Sequence, residues 1–175
     1  CKDAAECMLA KIYLTLGKNY AEVVSLCEDV EKQGYDLSKM PYVDNWYNPE
    51  TGMLNQNGPE SLFEIQYSGD PSASTDWMRD NNNQSQWLNV FMAPRNSSMV
   101  GGGGYGWQHV TQEFVDSYEE GDLRKDVTIF YEGCPDFDGF AYDPTWSTTG
   151  YNVRKWCVPI SICDKVDNCP ANTVV

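Results

Sequence analysis

Basic residues are scarce in this chain of 175 residues, which has 12 Lys and Arg against 26 Asp and Glu, a formal net charge of −14. A nucleic-acid surface needs clustered Lys and Arg that displace counterions from phosphates. Attraction to an anionic membrane surface needs similar clusters. The composition therefore argues against a nucleic-acid partner and against direct binding to anionic lipid.

Long apolar runs are also missing, because none approaches the roughly 20 residues that span a bilayer. The first residues, CKDAAEC, lack the basic segment and apolar stretch of a signal peptide. We therefore expect either a cytoplasmic protein or a targeting segment outside these residues.

Catalytic motifs are absent: the sequence has no GxSxG, no phosphate-binding loop and no HExxH. The run GGGGYG at 101–106 follows no clear strand, so a flexible or tightly turning loop is favoured over a phosphate cradle. Asp136, Asp138 and Asp143 lack the EF-hand order, which favours a solvated acidic loop. The single histidine, His109, is expected to be hydrogen-bonded near a helix start. We predict no catalytic residue and no cofactor.

The cysteines form no zinc-binding pattern, since CxxC is absent and one histidine cannot complete a Cys/His set. We predict no metal site. Disulfides are possible in an exported protein, and the odd number leaves at least one thiol free or paired outside the chain. The seven are Cys1, Cys7, Cys27, Cys134, Cys157, Cys163 and Cys169.

The first 36 residues predict two short amphipathic helices. Asp3-Ala-Ala-Glu6 and Asn19-Tyr-Ala-Glu22 both resemble capping boxes. Gly17 and Gly34 are suited to end the helices. Two such helices joined by a short turn pack antiparallel, and the pattern is typical of a tetratricopeptide-like hairpin. Apolar residues recur at helical spacing in both segments: Ala5, Met8, Leu9, Ile12 and Leu16, then Val23, Leu26, Cys27 and Val30.

The remaining residues, 37–175, predict a loop-rich region with little regular structure. A strand is expected over Ser61 to Tyr67, where apolar and polar residues alternate. A third helix is expected from Thr111 to Glu120, capped by Thr111 and ended by Gly121. Short extended segments are expected around Val127, Ile129 and Tyr131, and within Asn152 to Ile162. The fold class is therefore mainly α.

Large aromatic residues lie in or beside the polar stretch 68–106, namely Trp77, Trp87, Tyr105 and Trp107. One explanation is burial, with each ring packed onto the helices. The other is ligand contact, because a flat apolar ring surrounded by amides suits a sugar. Packing is favoured for each tryptophan taken singly.

Four segments in this order resemble the SusD/RagB family of nutrient-binding lipoproteins: the hairpin, ESLFEIQY, EFVDSYEEGDLRKDVTI and YNVRKW. The resemblance implies a SusD-like fold and non-catalytic binding of glycans or other nutrients for polysaccharide utilisation. It implies a place on the extracellular face of the outer membrane, held by an N-terminal lipid absent from this chain. It also implies a SusC-like TonB-dependent transporter as partner.

Within that resemblance, Trp77, Trp87 and Tyr105 are the candidate ligand-binding residues. Trp107 falls in a glycine-tryptophan element before the third helix, which favours a structural role. Arg124 and Asp126 are interpreted as a structural ion pair and capping feature. The alternative function is a tetratricopeptide-type scaffold for protein interactions, and a glycosidase fragment is the least supported hypothesis.

Overall fold

The computed structural model describes residues 1–45, 47–48, 53–54, 57–65, 88–100 and 103–163; at 47–48, 53–54 and 162–163 it describes the backbone alone. Two compact units divide the chain, Cys1–Ile65 and Gln66–Val175. The predicted boundary between the hairpin and the loop-rich region, after residue 36, stays a prediction. Within these described ranges, no helix combines the length and the apolar character that crossing a membrane requires.

Unit one begins with the predicted helical hairpin. Helix α1 runs over Lys2–Thr15 and helix α2 over Tyr20–Glu31, and the two pack against each other. Gly17 adopts a positive φ of 63° directly after α1, a conformation that costs glycine little. Val23 and Val30 of α2 are buried, as the apolar spacing predicts. On α1 the predicted apolar face is largely exposed, including Met8 and Ile12, and only Ala10 is buried.

The two predicted capping boxes are not formed. Helix α1 begins two residues earlier than expected, with Cys1 rather than Asp3 at the N-cap, and no side chain caps it. Asp3 instead accepts a hydrogen bond from the hydroxyl of Tyr35, at 3.4 Å. Asn19 does stand at the N-cap of α2, but in the left-handed conformation, and its amide bonds Glu22 rather than the helix backbone.

The rest of unit one is irregular. A 3-10 helix spans Tyr42–Asn45, and strand β1 (Tyr47–Asn48) pairs antiparallel with β2 (Met53–Leu54). The strand expected over 61–67 is wrong for residues 61–65, which are not in a strand. The alternation of apolar and polar residues does not produce a strand there, and both Phe63 and Ile65 are exposed rather than buried on one face. Residues 66–67 lie outside the described ranges.

Unit two joins short elements around buried apolar clusters, a larger one that includes Phe130 and a smaller one that includes Ile129. Strand β3 (Ile129–Phe130) pairs antiparallel with β4 (Asn152–Val153), with Ile129 opposite Val153. The third predicted helix exists and Thr111 caps it, but it is shorter than expected. Val127 belongs to a helix rather than to the expected strand. The elements are α3 (Leu88–Met92), α4 (Gln112–Asp116), α5 (Arg124–Thr128), β3 (Ile129–Phe130), a 3-10 helix (Pro144–Trp146), β4 (Asn152–Val153) and α6 (Ile160–Cys163).

The larger buried cluster of unit two centres on Phe130, which is fully buried. Its ring stacks on Tyr142 and meets Phe137 edge to face. The guanidinium of Arg154 lies 5.3 Å from the ring centroids of both phenylalanines and donates to the carbonyl of Pro135, at 2.6 Å. A second guanidinium nitrogen donates to the carbonyl of residue 136. Arg154 therefore ties the loop after β3 to the core.

The predicted ion pair within DLRKD involves a different partner. Arg124 bonds Asp122, with its Nε 2.9 Å from one carboxylate oxygen. These hydrogen bonds lower the pKa of Asp122 to about 2. Asp126 instead accepts from the hydroxyl of Tyr131, and that bond raises the pKa of Tyr131 to about 12. The prediction of an Arg124–Asp126 pair is therefore wrong.

The mainly α, loop-rich fold class is confirmed.

Candidate functional site

The glycine loop, residues 103–107, is fastened to the end of helix α3 by its backbone. The last carbonyls of a helix lack partners within the helix. Here the amides of the loop supply those partners, so the loop has one fixed path over the helix end. The three bonds are Tyr105 N to Val90 O at 2.8 Å, Gly106 N to Ala93 O at 2.9 Å and Trp107 N to Phe91 O at 3.0 Å.

Glycine is required in this loop for two physical reasons. A Cβ on Gly104 would lie 2.4 Å from the carbonyl oxygens of both Ala93 and Pro94, far inside van der Waals contact. Gly103 and Gly106 adopt positive φ angles of 71° and 60°, which L side chains rarely adopt. Of the two sequence interpretations, the tightly turning loop is therefore the one that the structure confirms.

Three aromatic rings meet where the loop crosses α3, and we name Phe91, Tyr105 and Trp107 the aromatic platform. The rings of Phe91 and Trp107 are stacked, with centroids 4.3 Å apart and planes 8° apart. Tyr105 lies 5.9 Å from Phe91 and 5.7 Å from Trp107, again nearly parallel. The three backbone bonds fix the main chain that carries Tyr105 and Trp107, and the contacts among the rings orient the side chains.

The platform is open to solvent. Trp107 is 60% exposed and Tyr105 is 46% exposed, although large aromatic side chains are usually well buried. Because Phe91 covers one face of the indole, the exposure of Trp107 comes from its other face and edges. The structural role that the sequence favours for Trp107 stays a prediction; its stacking on Phe91 agrees with that role, and its exposure makes it a candidate for ligand contact as well. Trp77 and Trp87 lie outside the described residues.

Polar groups lie beside the platform. The Nδ1 atom of His109 is 2.7 Å from the hydroxyl of Thr148 and also accepts the backbone N–H of Thr148. This confirms a hydrogen-bonded histidine before the third helix. Nε2 of the same ring lies 3.5 Å from where a Cβ on Gly106 would be, and the Cβ of Arg95 lies 3.1 Å from that point.

No metal-binding cluster of three or more His, Cys, Asp or Glu occurs among the described residues. The acidic loop uses its carboxylates locally: Asp138 accepts from the backbone N–H and the hydroxyl of Ser161, and Asp143 accepts from Thr145. Burial raises the pKa of the Cys157 thiol, which keeps it protonated and unreactive. Five cysteines have side chains that the structure describes, and none of these five is in a disulfide: Cys1, Cys7, Cys27, Cys134 and Cys157.

Two solved structures share this fold. A laminarin binding SusD-like protein matches with a TM-score of 0.69 and 22% identity over 98% of this chain. Surface glycan-binding protein A from Bacteroides fluxus matches with a TM-score of 0.65 and 22% identity over 99% of it. The chain spans 38% and 36% of the lengths of those proteins. The likeness confirms the predicted SusD-like fold. No protein-family model and no curated protein matches the chain.

Proposed function

We propose that this chain is the part of a surface glycan-binding protein that stacks a sugar on the aromatic platform. The observation that supports this most directly is Trp107, held on Phe91 and 60% exposed. The apolar C–H face of a sugar ring is matched by the open face of an indole. Binding sites combine such aromatic walls with a few placed polar groups, which His109 and Arg95 supply here.

The fixed loop strengthens this proposal energetically. A binding site that is ordered before the ligand arrives loses less conformational entropy on binding. The main chain of the platform is fixed by backbone bonds and its rings are stacked on one another, so less ordering of the two exposed rings is needed when a sugar binds. Such stacking requires no nucleophile and no acid–base pair, and we propose a binding function without catalysis. The two solved structures described above carry names that describe binding.

The cellular role follows from the fold as a proposal. A protein with a SusD-like fold is expected on the extracellular face of the outer membrane, delivering glycans to a SusC-like TonB-dependent transporter. Co-purification of the full-length protein with that transporter from detergent-extracted membranes tests this role. Recovery of the protein without any transporter would contradict it.

The scaffold alternative has one supporting observation in unit one. Met8 and Ile12 of α1 and Leu16, the residue that caps its C-terminus, follow one another at intervals of four, and they are 59%, 46% and 59% exposed. An apolar stripe of this kind suits packing against another helical hairpin. If Ile12→Glu abolished the protein's cellular role while Trp107→Ala had no effect, the scaffold function would be favoured.

Isothermal titration of the full-length protein against a panel of neutral and acidic oligosaccharides tests glycan binding. Trp107→Ala is expected to weaken binding of the recognised glycan about tenfold, since about 1.4 kcal/mol corresponds to tenfold in affinity. Trp156→Ala is the matched control, because Trp156 is 46% exposed and its ring has no contact with the platform among the described pairs. Equal losses in both variants, or no binding by the unchanged protein, would refute the proposed function.

A further inference from the structure

Arg95 is an exposed cation beside the platform. Its backbone nitrogen lies 3.3 Å and its Cβ lies 3.1 Å from the Cβ position of Gly106, the residue between the two exposed rings. Among the described residues, no carboxylate or carbonyl holds its guanidinium. The other two described arginines are both engaged, Arg124 by Asp122 and Arg154 by two backbone carbonyls.

This free cation is unexpected in so acidic a chain. With 26 carboxylate side chains and only 12 basic ones, a cation has many possible partners. Arg95 nevertheless lies beside an open aromatic surface, and no carboxylate in the described part of the chain pairs with it. A guanidinium presents N–H groups in a planar fork that matches the two oxygens of a carboxylate.

His109 adds a second donor at the same place. A backbone N–H can only donate, so the bond from Thr148 makes Nδ1 of His109 an acceptor. The ring proton is then on Nε2, the atom that faces Gly106 at 3.5 Å from its Cβ position. Among the described residues, no acceptor for this Nε2–H is present. The Cβ of Arg95 and Nε2 of His109 therefore lie beside the same glycine, and within the described ranges neither the guanidinium nor the Nε2–H has a protein acceptor.

We propose that Arg95 and His109 bind the carboxylate of an acidic sugar whose neighbouring ring stacks on the aromatic platform. This inference rests on the proposed glycan binding and specifies the class of ligand, an oligosaccharide that contains glucuronic acid or a similar uronic acid. The net charge of −14 opposes polyanions, because like charges repel. The ligand is therefore one with isolated acidic residues among neutral ones.

The test uses pairs of oligosaccharides that differ at one residue, glucuronic acid in one member and glucose in the other. Titration of the full-length protein is expected to show about five- to tenfold tighter binding of the acidic member, typical of an exposed charge-assisted hydrogen bond. Arg95→Gln should remove this preference, so that the acidic and the neutral member of each pair bind with equal affinity. Arg95→Lys should retain part of the preference, because the charge stays while the fork is lost.

Two further variants show whether the preference for the acidic oligosaccharide depends on groups at the platform or on the overall charge of the protein. His109→Phe removes the Nε2–H donor and should reduce the preference about threefold. Lys18→Gln removes the same charge in unit one and should leave the preference unchanged. Equal binding of both members by the unchanged protein, or a preference that survives Arg95→Gln, would overturn this inference while leaving glycan binding intact. Binding of neither member in any pair would overturn the proposed function as well.

Discussion

Replacing Gly104 with alanine tests whether the glycine loop builds the site. The new Cβ would lie 2.4 Å from the carbonyl oxygens of Ala93 and Pro94. These atoms belong to the backbone, so neither can turn aside as a flexible side chain would. The loop must move away from α3, and the three backbone bonds that hold it lengthen or break.

The expected loss follows from those bonds. Each contributes a net value of about 1 kcal/mol to stability, so losing all three lowers the free energy of unfolding by roughly 3 kcal/mol. For a chain of this size, that corresponds to a fall in Tm of roughly 6 to 12 °C. Glycan binding should weaken with it, because Tyr105 and Trp107 lose their fixed positions.

Hydrogen exchange gives the most direct assay. The amides of Tyr105, Gly106 and Trp107 donate to α3 and should be protected in the unchanged protein. In Gly104→Ala, all three should exchange faster. Gly103→Ala is the neighbouring control, since its Cβ meets nothing within 4 Å and only its positive φ is strained, at a cost of about 1 kcal/mol. Unchanged protection, stability and binding in Gly104→Ala would refute the reasoning.

Two further predictions concern the core and the response to acid. Arg154→Ala should lower the free energy of unfolding by about 2 to 3 kcal/mol, because two carbonyl bonds and two ring contacts are lost; Arg154→Lys should lose about half as much in the same urea titration. The folded pKa of Asp122, about 2, lies below its ordinary value of 3.8. Its pairing with Arg124 therefore stabilises the fold above about pH 4, and that stabilisation disappears as the pH falls through about 2. Asp122→Asn should show a smaller loss of stability between pH 4 and pH 2, and an identical acid profile would contradict the assignment.

The hairpin could be predicted because its information is local. Apolar residues at helical spacing and a glycine at position 17 fix two helices and the turn between them. The details of the helix ends could not be predicted in this way. Asp3 had the spacing of a cap, but a tertiary partner, Tyr35, bonds its carboxylate instead. The alternation at 61–65 failed for a similar reason, since a strand also needs a partner strand and a buried face.

The candidate site was predicted only in part. Tyr105 was selected as an aromatic residue in a polar loop, and the structure places it on an exposed surface. Phe91 was missed because its role depends on Trp107, 16 positions later in the sequence. No periodicity links the two; bonds between the helix end and the loop bring them together. The glycine run was the available signal, since closely spaced glycines indicate close backbone approach.

The bonds between the glycine loop and α3 join main-chain atoms only. The path of the loop is therefore independent of which side chains occupy positions 91, 105 and 107. A gene encoding this protein can exchange Tyr105 for phenylalanine, tryptophan or histidine without altering the framework that carries it. New sugar preferences would then arise by single substitutions, each tested by selection on a scaffold whose folding is already secured.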